Sequence, residues 1–148
     1  MDRLKFRCWH KKRKRMYKVL HLHLKTVFNG GDWVTAEGFN IITQQEVHIQ
    51  IEPEDCVIMQ CTGMKDDKDK LIYEGDIVEI WKMCGNIRKR MFVKWRETQC
   101  SFRLYDASAM GATPQKITDK RSMGAVTSIK VIGNIYENPE LLEVEQCG

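Results

Sequence analysis

The sequence predicts an all-β fold: a compact, barrel-like domain of short antiparallel strands with one or two short helices. Apolar and polar residues alternate with a period of two through most of the chain, as they do in a strand with one buried face. Turn residues separate these segments at short intervals, which is typical of barrels and sandwiches. We expect one domain, residues 1–148, because a chain of this length buries a core without crosslinks.

The first two predicted strands form a hairpin around a basic turn. In the first strand, residues 3–9, alternate side chains form a basic and aromatic face: Arg3, Lys5, Arg7 and Trp9. The turn is a run of cations: Lys11, Lys12, Arg13, Lys14 and Arg15. The second strand covers residues 16–27 and separates two sets of side chains: Leu20, Leu22 and Leu24 on one face, and Tyr17, Val19, His21 and His23 on the other.

Three glycines follow this hairpin, Gly30, Gly31 and Gly38, and they predict a soft domain boundary near residues 29–40. Alternation resumes in residues 45–52. Pro53 ends that strand, because proline has no N–H group to donate. The apolar run of residues 56–59 predicts a short strand that is buried on both faces, and a charged turn follows at residues 65–70.

The clearest alternation lies in a second predicted hairpin, residues 77–83 and 87–96. Its second strand has an apolar face: Ile87, Met91, Val93 and Trp95. The opposite face interleaves cations with an aromatic ring: Arg88, Arg90, Phe92, Lys94 and Arg96. A strand at residues 100–105 follows and places Arg103 beside Tyr105 in the same kind of pattern.

The last third of the chain is less regular. Residues 107–124 are predicted to form a long loop, with one short helix that begins at Thr113-Pro114. The last strand, residues 126–136, is interrupted at Gly133. Asn138 precedes a proline and a glutamate, a pattern that predicts the start of a short helix running to Glu145.

Positive charge is concentrated at the N-terminus. Residues 1–18 contain nine Lys or Arg and one Asp, a net charge of +8, whereas the whole chain carries +4. The rest of the chain is therefore mildly acidic. A basic cluster on such a protein attracts phosphate groups. The alternative interpretation is a solvated hairpin whose charge only favours solubility.

No catalytic or metal site is predicted. The sequence lacks Gly-x-Ser-x-Gly, a phosphate-binding glycine loop and His-Glu-x-x-His. No two of the six cysteines have the spacing of a zinc knuckle, so we expect reduced thiols. His21 and His23 share a strand face, but two histidines without a third ligand are more typical of a surface. We therefore expect neither a cofactor nor an enzyme.

The interleaved cations and aromatic rings leave two binding functions open. A β-surface of this composition holds a phosphate backbone while bases stack on its rings. The same tryptophans and arginines are also enriched in the centres of protein–protein interfaces. A nucleic-acid-binding module and a protein-interaction module are therefore both consistent with the sequence.

Three segments resemble the YopX family of phage and prophage proteins. The first is Leu-Lys-Phe-Arg-Cys-Trp at residues 4–9, followed by Met16-Tyr17. The second is the central stretch of residues 59–66 and 72–78, which includes Thr-Gly and Tyr-Glu-Gly-Asp. The third is Ile-Gly-Asn-Ile-Tyr-Glu-Asn-Pro-Glu-Leu-Leu at residues 132–142. Together, and in this order, they bracket nearly the whole chain.

The resemblance implies a mainly β fold, a phage or prophage origin and no established activity. Thr62-Gly63 and Glu74-Gly75-Asp76 place glycines at tight reversals, where Thr and Asp can bond nearby N–H groups. Gly133-Asn134 marks a bulge or bend in a strand. We expect a structural role for these motif residues: Thr62, Gly63, Tyr73, Glu74, Gly75, Asp76, Gly133 and Asn134.

The expected function is that of a phage accessory protein that acts by binding. Its partner is open between nucleic acid, a host or phage protein, and a second copy of the chain. No apolar run is long enough to span a membrane, and the basic N-terminus has no signal-peptide core. We therefore expect a cytoplasmic location in the host cell and no membrane partner.

Overall fold

The structure is a computed structural model that describes residues 5–23, 33–40, 45–82, 87–106, 115–116 and 126–143. It contains eleven strands: β1 (Phe6–His10), β2 (Arg15–His23), β3 (Trp33–Asn40), β4 (Gln45–Ile51), β5 (Cys56–Lys65), β6 (Leu71–Tyr73), β7 (Asp76–Lys82), β8 (Ile87–Arg96), β9 (Ser101–Asp106), β10 (Gln115–Lys116) and β11 (Val126–Asn134). It also contains three short 3₁₀ helices: η1 (Pro53–Asp55), η2 (Glu97–Gln99) and η3 (Pro139–Leu142). The mainly β prediction is confirmed.

The chain divides into two units, Met1–Gln60 and Cys61–Gly148. In the first unit the strands are ordered β4-β3-β2-β1-β5, and every neighbouring pair is antiparallel. One face of this sheet builds the core of the unit: Cys8, Tyr17, Val34, Ala36, Ile51 and Cys56. The boundary near residues 29–40 stays a prediction; within that range, β3 pairs with β2 and with β4.

A β-bulge in β2 interrupts the alternation that the sequence predicts there. The register with β3 shifts between Val19 and His21. Tyr17 and Val19 pack into the core before the shift, and Leu22 packs into it afterwards. The two faces assigned from sequence therefore exchange along the strand, because one extra residue reverses every side chain beyond it. The predicted residues 24–27 of this strand lie outside the described ranges.

The second unit contains the sheet β10-β9-β8-β7-β11, again antiparallel throughout. Its core is a continuous apolar cluster: Ile72, Val78, Ile80, Met91, Val93, Leu104, Ile129 and Val131. The inward positions predicted for Met91 and Val93 are confirmed. Trp95, predicted on the same face, lies near the end of the strand and is 38% exposed. The second half of β5 pairs with β6 in this unit.

Three details of the predicted architecture are corrected. Among the described strands, each sheet ends in two edge strands, so neither sheet closes into a barrel. The helix predicted from Asn138 to Glu145 is the shorter 3₁₀ helix η3. Gln115 and Lys116, predicted in a loop or short helix, pair as β10 with β9. Within the described ranges, no helix has the length and apolarity needed to cross a membrane.

Candidate functional site

The β8 strand lies in the middle of its sheet and presents two chemically different faces. The core face of the sheet includes Met91 of β8, Val78 of β7 and Leu104 of β9, all fully or almost fully buried. Residues that alternate with them therefore point to the opposite side of the sheet, because side chains alternate along a strand. We call this side the outer face and define it by these residues of β7, β8, β9 and β11: Glu79, Trp81, Arg88, Arg90, Phe92, Lys94, Arg96, Arg103, Tyr105 and Lys130.

The strand register arranges the outer face in rows. Trp81 pairs with Arg88, and Glu79 pairs with Arg90. Two positions further along β8, Phe92 pairs with Tyr105. Lys94 then pairs with Arg103 across the same two strands. Same-face neighbours along a strand are about 6.8 Å apart. The two cationic faces that the sequence predicts separately, on residues 87–96 and 100–105, thus form one surface.

Aromatic rings occupy two places on the outer face. The rings of Phe92 and Tyr105 stack with their centroids 5.5 Å apart and an interplanar angle of 24°. Trp81 lies on β7 and is 39% exposed, which is unusual for so large an apolar side chain. Along β8, Arg90 lies between Arg88, the partner of Trp81, and Phe92. Lys94 lies beyond Phe92 on the same strand. The face therefore alternates rings with cations.

The charge of the outer face is almost entirely positive. Within the described residues, no carboxylate lies within ion-pair distance of Arg88, Arg90, Lys94 or Lys130. Arg96 donates its Nε–H to the Thr98 hydroxyl, and no carboxylate of the described residues forms an ion pair with it. Arg103 likewise donates to the hydroxyl of Ser101 at 3.2 Å. These cations remain available for an anionic partner.

Three acids lie at or beside this surface, one of them Asp67, whose Oδ2 accepts the hydroxyl of Ser128, the cross-strand partner of Trp81. Glu79 is the acidic residue of the outer face, and it lies beside Trp81 on β7. Glu140 belongs to η3, which contacts β8. Ile77 shares the side of the outer face but is completely buried. Gly133, the cross-strand partner of Ile77, lies close to η3, since a Cβ on it would be 2.8 Å from Leu141 Cδ1. The cations of the outer face are concentrated on β8 and β9.

The basic and aromatic face predicted on β1 is not an open surface. The β1 strand lies between β2 and β5, and Trp9 is only 7% exposed. Arg7 is half-buried, while Lys5 is exposed. Arg3 lies outside the described ranges. A base has no access to the Trp9 ring, so the proposed stacking role of this residue is corrected by its burial.

The basic turn after β1 is partly held by the acidic end of η1. Lys11 donates from Nζ to the Glu54 carbonyl oxygen at 2.6 Å, and its backbone N–H donates to the Asp55 carbonyl. Lys12 forms an ion pair with Asp55. The hydrogen bond and charge of Asp55 raise the pKa of Lys12.

The remaining cations of this turn differ from one another. Arg15 lies over the Tyr17 ring, 5.7 Å from its centroid. Arg13 and Lys14 are exposed. The cationic run that the sequence predicts as one patch is therefore divided among separate local contacts.

The Thr62-Gly63 motif stabilises an irregularity inside β5. The Thr62 hydroxyl donates to the Ile72 carbonyl at 2.9 Å and accepts the Met64 N–H at 3.1 Å. Gly63 has a φ of 78°, and the register with β6 shifts in this segment. These contacts hold the local backbone of β5, and the structural role of the motif stays a prediction. The motif is a bulge within a strand, however, and not a reversal between strands.

The Glu74-Gly75-Asp76 motif forms the turn between β6 and β7. Gly75 has a φ of 78° and donates its N–H to the Val93 carbonyl at 2.8 Å. Its own carbonyl accepts the Ile135 N–H at 2.9 Å. Asp76 is 1% exposed and accepts the Tyr73 N–H. Glu74 accepts the Trp95 N–H at 3.1 Å. The turn is thus joined to both β8 and the end of β11.

The Gly133-Asn134 motif meets that turn. Asn134 pairs with Asp76 across the strands and is 5% exposed. Its Oδ1 accepts the backbone N–H groups of Tyr136 and Glu137, which closes the turn after β11. The structure therefore brings two motifs together that are separated by more than fifty residues in the sequence. Their contacts are those of a structural corner.

Asp66 and Asp67 are structural residues that the sequence analysis misses. Asp66 is buried and accepts backbone N–H groups from Lys68, Lys70 and Val131. Burial alone raises the pKa of its carboxyl, but these N–H donors and the nearby Lys70 charge outweigh burial, so the pKa is lowered. Asp67 accepts the Ser128 hydroxyl and the Ile129 N–H. A turn sequence gives no sign of partners on a strand so distant in the chain.

The described residues contain no group of three or more side chains that fits a metal ion. Among them Cys8, Cys56, Cys61 and Cys100 are free cysteines. Cys8 and Cys56 hydrogen-bond to each other between β1 and β5. The shared hydrogen bond and burial raise the pKa of Cys8, whereas acceptance of that bond lowers the pKa of Cys56.

Comparison with known proteins places the chain among relatives of the same fold. Protein EF1440 from Enterococcus faecalis superimposes with a TM-score of 0.61 at 25% identity, over 94% of this chain and 97% of that one. Protein yopX from Bacillus subtilis superimposes with a TM-score of 0.59 at 24% identity, over 95% of this chain and 99% of that one. No curated protein sequence matches the chain. The family model described as YopX protein matches residues 5–143, and the chain belongs to the YopX family.

Proposed function

We propose that this protein acts by binding, without catalysis, and that its outer face binds the phosphate backbone of a nucleic acid. The observation that carries the proposal is the alternation of unpaired cations with exposed or half-buried rings on that face. We place this activity in a phage or prophage accessory protein, in keeping with its family resemblance, that works in the host cytoplasm.

The physical basis is the exchange of counterions for fixed cations. A polyanion that contacts Arg88, Arg90 and Lys94 releases the ions condensed on its phosphates, which favours binding most strongly at low salt. Contacts of this kind carry no sequence information. Because these cations have no carboxylate partner within the described residues, binding breaks no ion pair of theirs. The expected binding is therefore sequence-tolerant and steeply salt-dependent.

A salt titration with charge-matched variants tests the proposal. Fluorescence anisotropy measures the affinity of the wild type, of Arg88→Gln/Arg90→Gln and of Arg13→Gln/Lys68→Gln for labelled oligonucleotides. Both variants remove two exposed cations, but only the first removes them from the outer face. We expect Arg88→Gln/Arg90→Gln to reduce the log–log salt slope by about 1.4–1.8, because each lost phosphate contact reduces it by about 0.7–0.9. The control variant should leave the slope close to that of the wild type.

Two results would overturn the proposal. One is the absence of binding to either DNA or RNA at low salt by a folded sample. The other is an equal loss of slope in both double variants, which would mean that only net charge matters. The competing function is a protein-interaction module, for which exposed Trp81 and Trp95 supply the residue type that is enriched at interfaces.

A further inference from the structure

We propose that the occupant of the outer face is a single-stranded nucleic acid, with a base stacked on Trp81 and another on the Phe92–Tyr105 pair. This inference rests on the proposed function and names its substrate class. Phosphate contacts alone do not distinguish a single strand from a duplex. The rings do, because only unpaired bases present their flat surfaces to a protein.

The spacing of the rings fits a short length of nucleic acid. Trp81 pairs with Arg88, and Phe92 lies four residues further along β8. Four residues of an antiparallel strand span about 13.6 Å. The two ring positions are therefore far enough apart to hold two separate bases. Arg90 lies between the two rings, where the connecting phosphates pass.

The exposure of Trp81 distinguishes this surface from a purely electrostatic one. A face that binds a duplex through phosphates needs cations and hydrogen-bond donors but no exposed indole. Trp81 leaves 39% of its surface in water. A stacked base removes that apolar area from water and also contacts the positive charge of the neighbouring Arg88. The gain is available to any base, because every base has a π-face.

The position of Glu79 indicates which part of the outer face the nucleic-acid backbone crosses. Its carboxylate lies beside Trp81 on β7 and opposite Arg90. A phosphate passing over β7 would meet this negative charge, whereas β8 and β9 carry Arg88, Lys94 and Arg103 without an acid among their outer-face residues. We therefore place the backbone over β8 and β9. Glu79→Gln should tighten binding, by roughly two- to fivefold at low salt, since it removes a like charge from the edge of the path.

The decisive experiment compares two tryptophans of equal exposure on opposite faces. Trp81 is 39% exposed on the outer face, and Trp95 is 38% exposed on the other side, where it packs edge-on against Phe102. Binding of a 12-mer of deoxythymidylate and of a 12-base-pair duplex is measured by anisotropy for Trp81→Ala, Trp81→Phe and Trp95→Ala. Thermal unfolding confirms that each variant is folded.

We expect Trp81→Ala to weaken single-strand binding by roughly 5- to 150-fold, which corresponds to about 1–3 kcal/mol. The salt slope should stay unchanged, because no phosphate contact is lost. Trp81→Phe should restore part of the affinity, and Trp95→Ala should bind like the wild type. Quenching of tryptophan fluorescence by the 12-mer should decrease in Trp81→Phe but not in a Trp95→Phe variant.

The outcomes separate this inference from the function on which it rests. One outcome is that the wild type binds single strand and duplex with equal affinity while Arg88→Gln/Arg90→Gln still reduces the log–log salt slope. That result would overturn the single-strand inference and leave the backbone-binding function standing. Equal effects of Trp81→Ala and Trp95→Ala would also overturn it. Failure of the wild type to bind either nucleic acid would overturn both.

Discussion

Single residues in the turns of the second unit connect several of its strands through hydrogen bonds. Gly75 connects three segments. Its N–H donates to the Val93 carbonyl, its own carbonyl accepts the Ile135 N–H, and β7 begins at the next residue, Asp76. Its φ of 78° is a left-handed conformation that residues with a Cβ adopt at a penalty. A glycine at this position therefore has a conformational cause, in keeping with the tight corner that its place between two acids predicts.

Replacement of Gly75 by valine should lower stability more than it lowers binding. The β-branched side chain is strained at this φ, so we expect a loss of about 1–3 kcal/mol. Urea unfolding of the wild type and the variant measures this loss. Gly75→Asn is the control, because asparagine tolerates the left-handed region and should be less destabilising. An unchanged unfolding midpoint in Gly75→Val would contradict a strained corner.

Asp66 makes the stability of the second unit depend on pH at the acidic end. Its pKa is lowered in the folded protein, so its ionised form contributes stability at pH values above the ordinary Asp pKa of about 3.9. That contribution disappears as the pH falls through the lower folded-state pKa. We expect Asp66→Asn to destabilise the protein by about 1–3 kcal/mol at pH 7, since an amide cannot accept all three N–H groups.

Chemical denaturation at pH 7 and pH 3 checks the sign of this effect. The difference in unfolding free energy between the wild type and Asp66→Asn should narrow at pH 3. This pH lies below the ordinary Asp pKa of about 3.9, so the unfolded wild type takes up a proton that the folded protein binds more weakly. A matched Asp69→Asn variant, whose side chain is exposed, should differ little from the wild type at either pH. A constant difference between the wild type and Asp66→Asn across the two pH values would exclude the ionised carboxylate as its cause.

At the scale of elements, regular alternation predicted those strands that contain no bulge and have one solvated face. The bounds of β8 agree with the predicted residues 87–96, and its basic side is the outer face. The two faces of β2 were assigned wrongly, because its bulge depends on the register with β3. Trp9 was assigned to an open surface but is only 7% exposed, because the sequence of β1 contains no sign that its second face is covered.

Contacts between segments far apart in the chain could not be predicted from the sequence. The contacts of Asp66 with Val131 and of Gly75 with Ile135 join segments about sixty residues apart. Neither partner has a local pattern that indicates the other. The same is true of the outer face, whose cations on β8 were predicted but whose Trp81 and Lys130 enter only through the register of β7 and β11. Local chemistry was therefore predictable, whereas its assembly into one surface was not.

The pairing of β1 with β5 leads to a prediction about the cysteines. Cys8 and Cys56 share a hydrogen bond in the core of the first unit, which requires that at least one of them carry a proton. We expect all six cysteines to be reduced in protein from a cytosolic expression host. Alkylation after non-reducing denaturation, followed by mass spectrometry, should modify all six. Of the described thiols, exposed Cys100 should react first under native conditions. A mass two hydrogens lower, with Cys8 and Cys56 unmodified, would instead reveal a disulfide.

At the scale of the whole molecule, charge is distributed in a way that restricts self-association. The outer face carries a cluster of cations with Glu79 as its acid, and a chain of net charge +4 already repels its own copies weakly. A two-fold interface places the same patch of both subunits in contact. An outer face in such an interface would bring like charges together, which is unfavourable by several kcal/mol. The face is therefore suited to an anionic partner and unsuited to a second copy of itself.

We expect the oligomeric state to be independent of the outer face. Size-exclusion chromatography with light scattering should give the same mass for the wild type and for Arg88→Gln/Arg90→Gln, at low and at high salt. Arg13→Gln/Lys68→Gln serves as the charge-matched control, since it lowers the net charge equally. Dissociation of a wild-type oligomer in the outer-face variant alone would show that these arginines join subunits. That result would favour the protein-interaction function, because a surface occupied by a second copy is not free to hold a nucleic-acid strand.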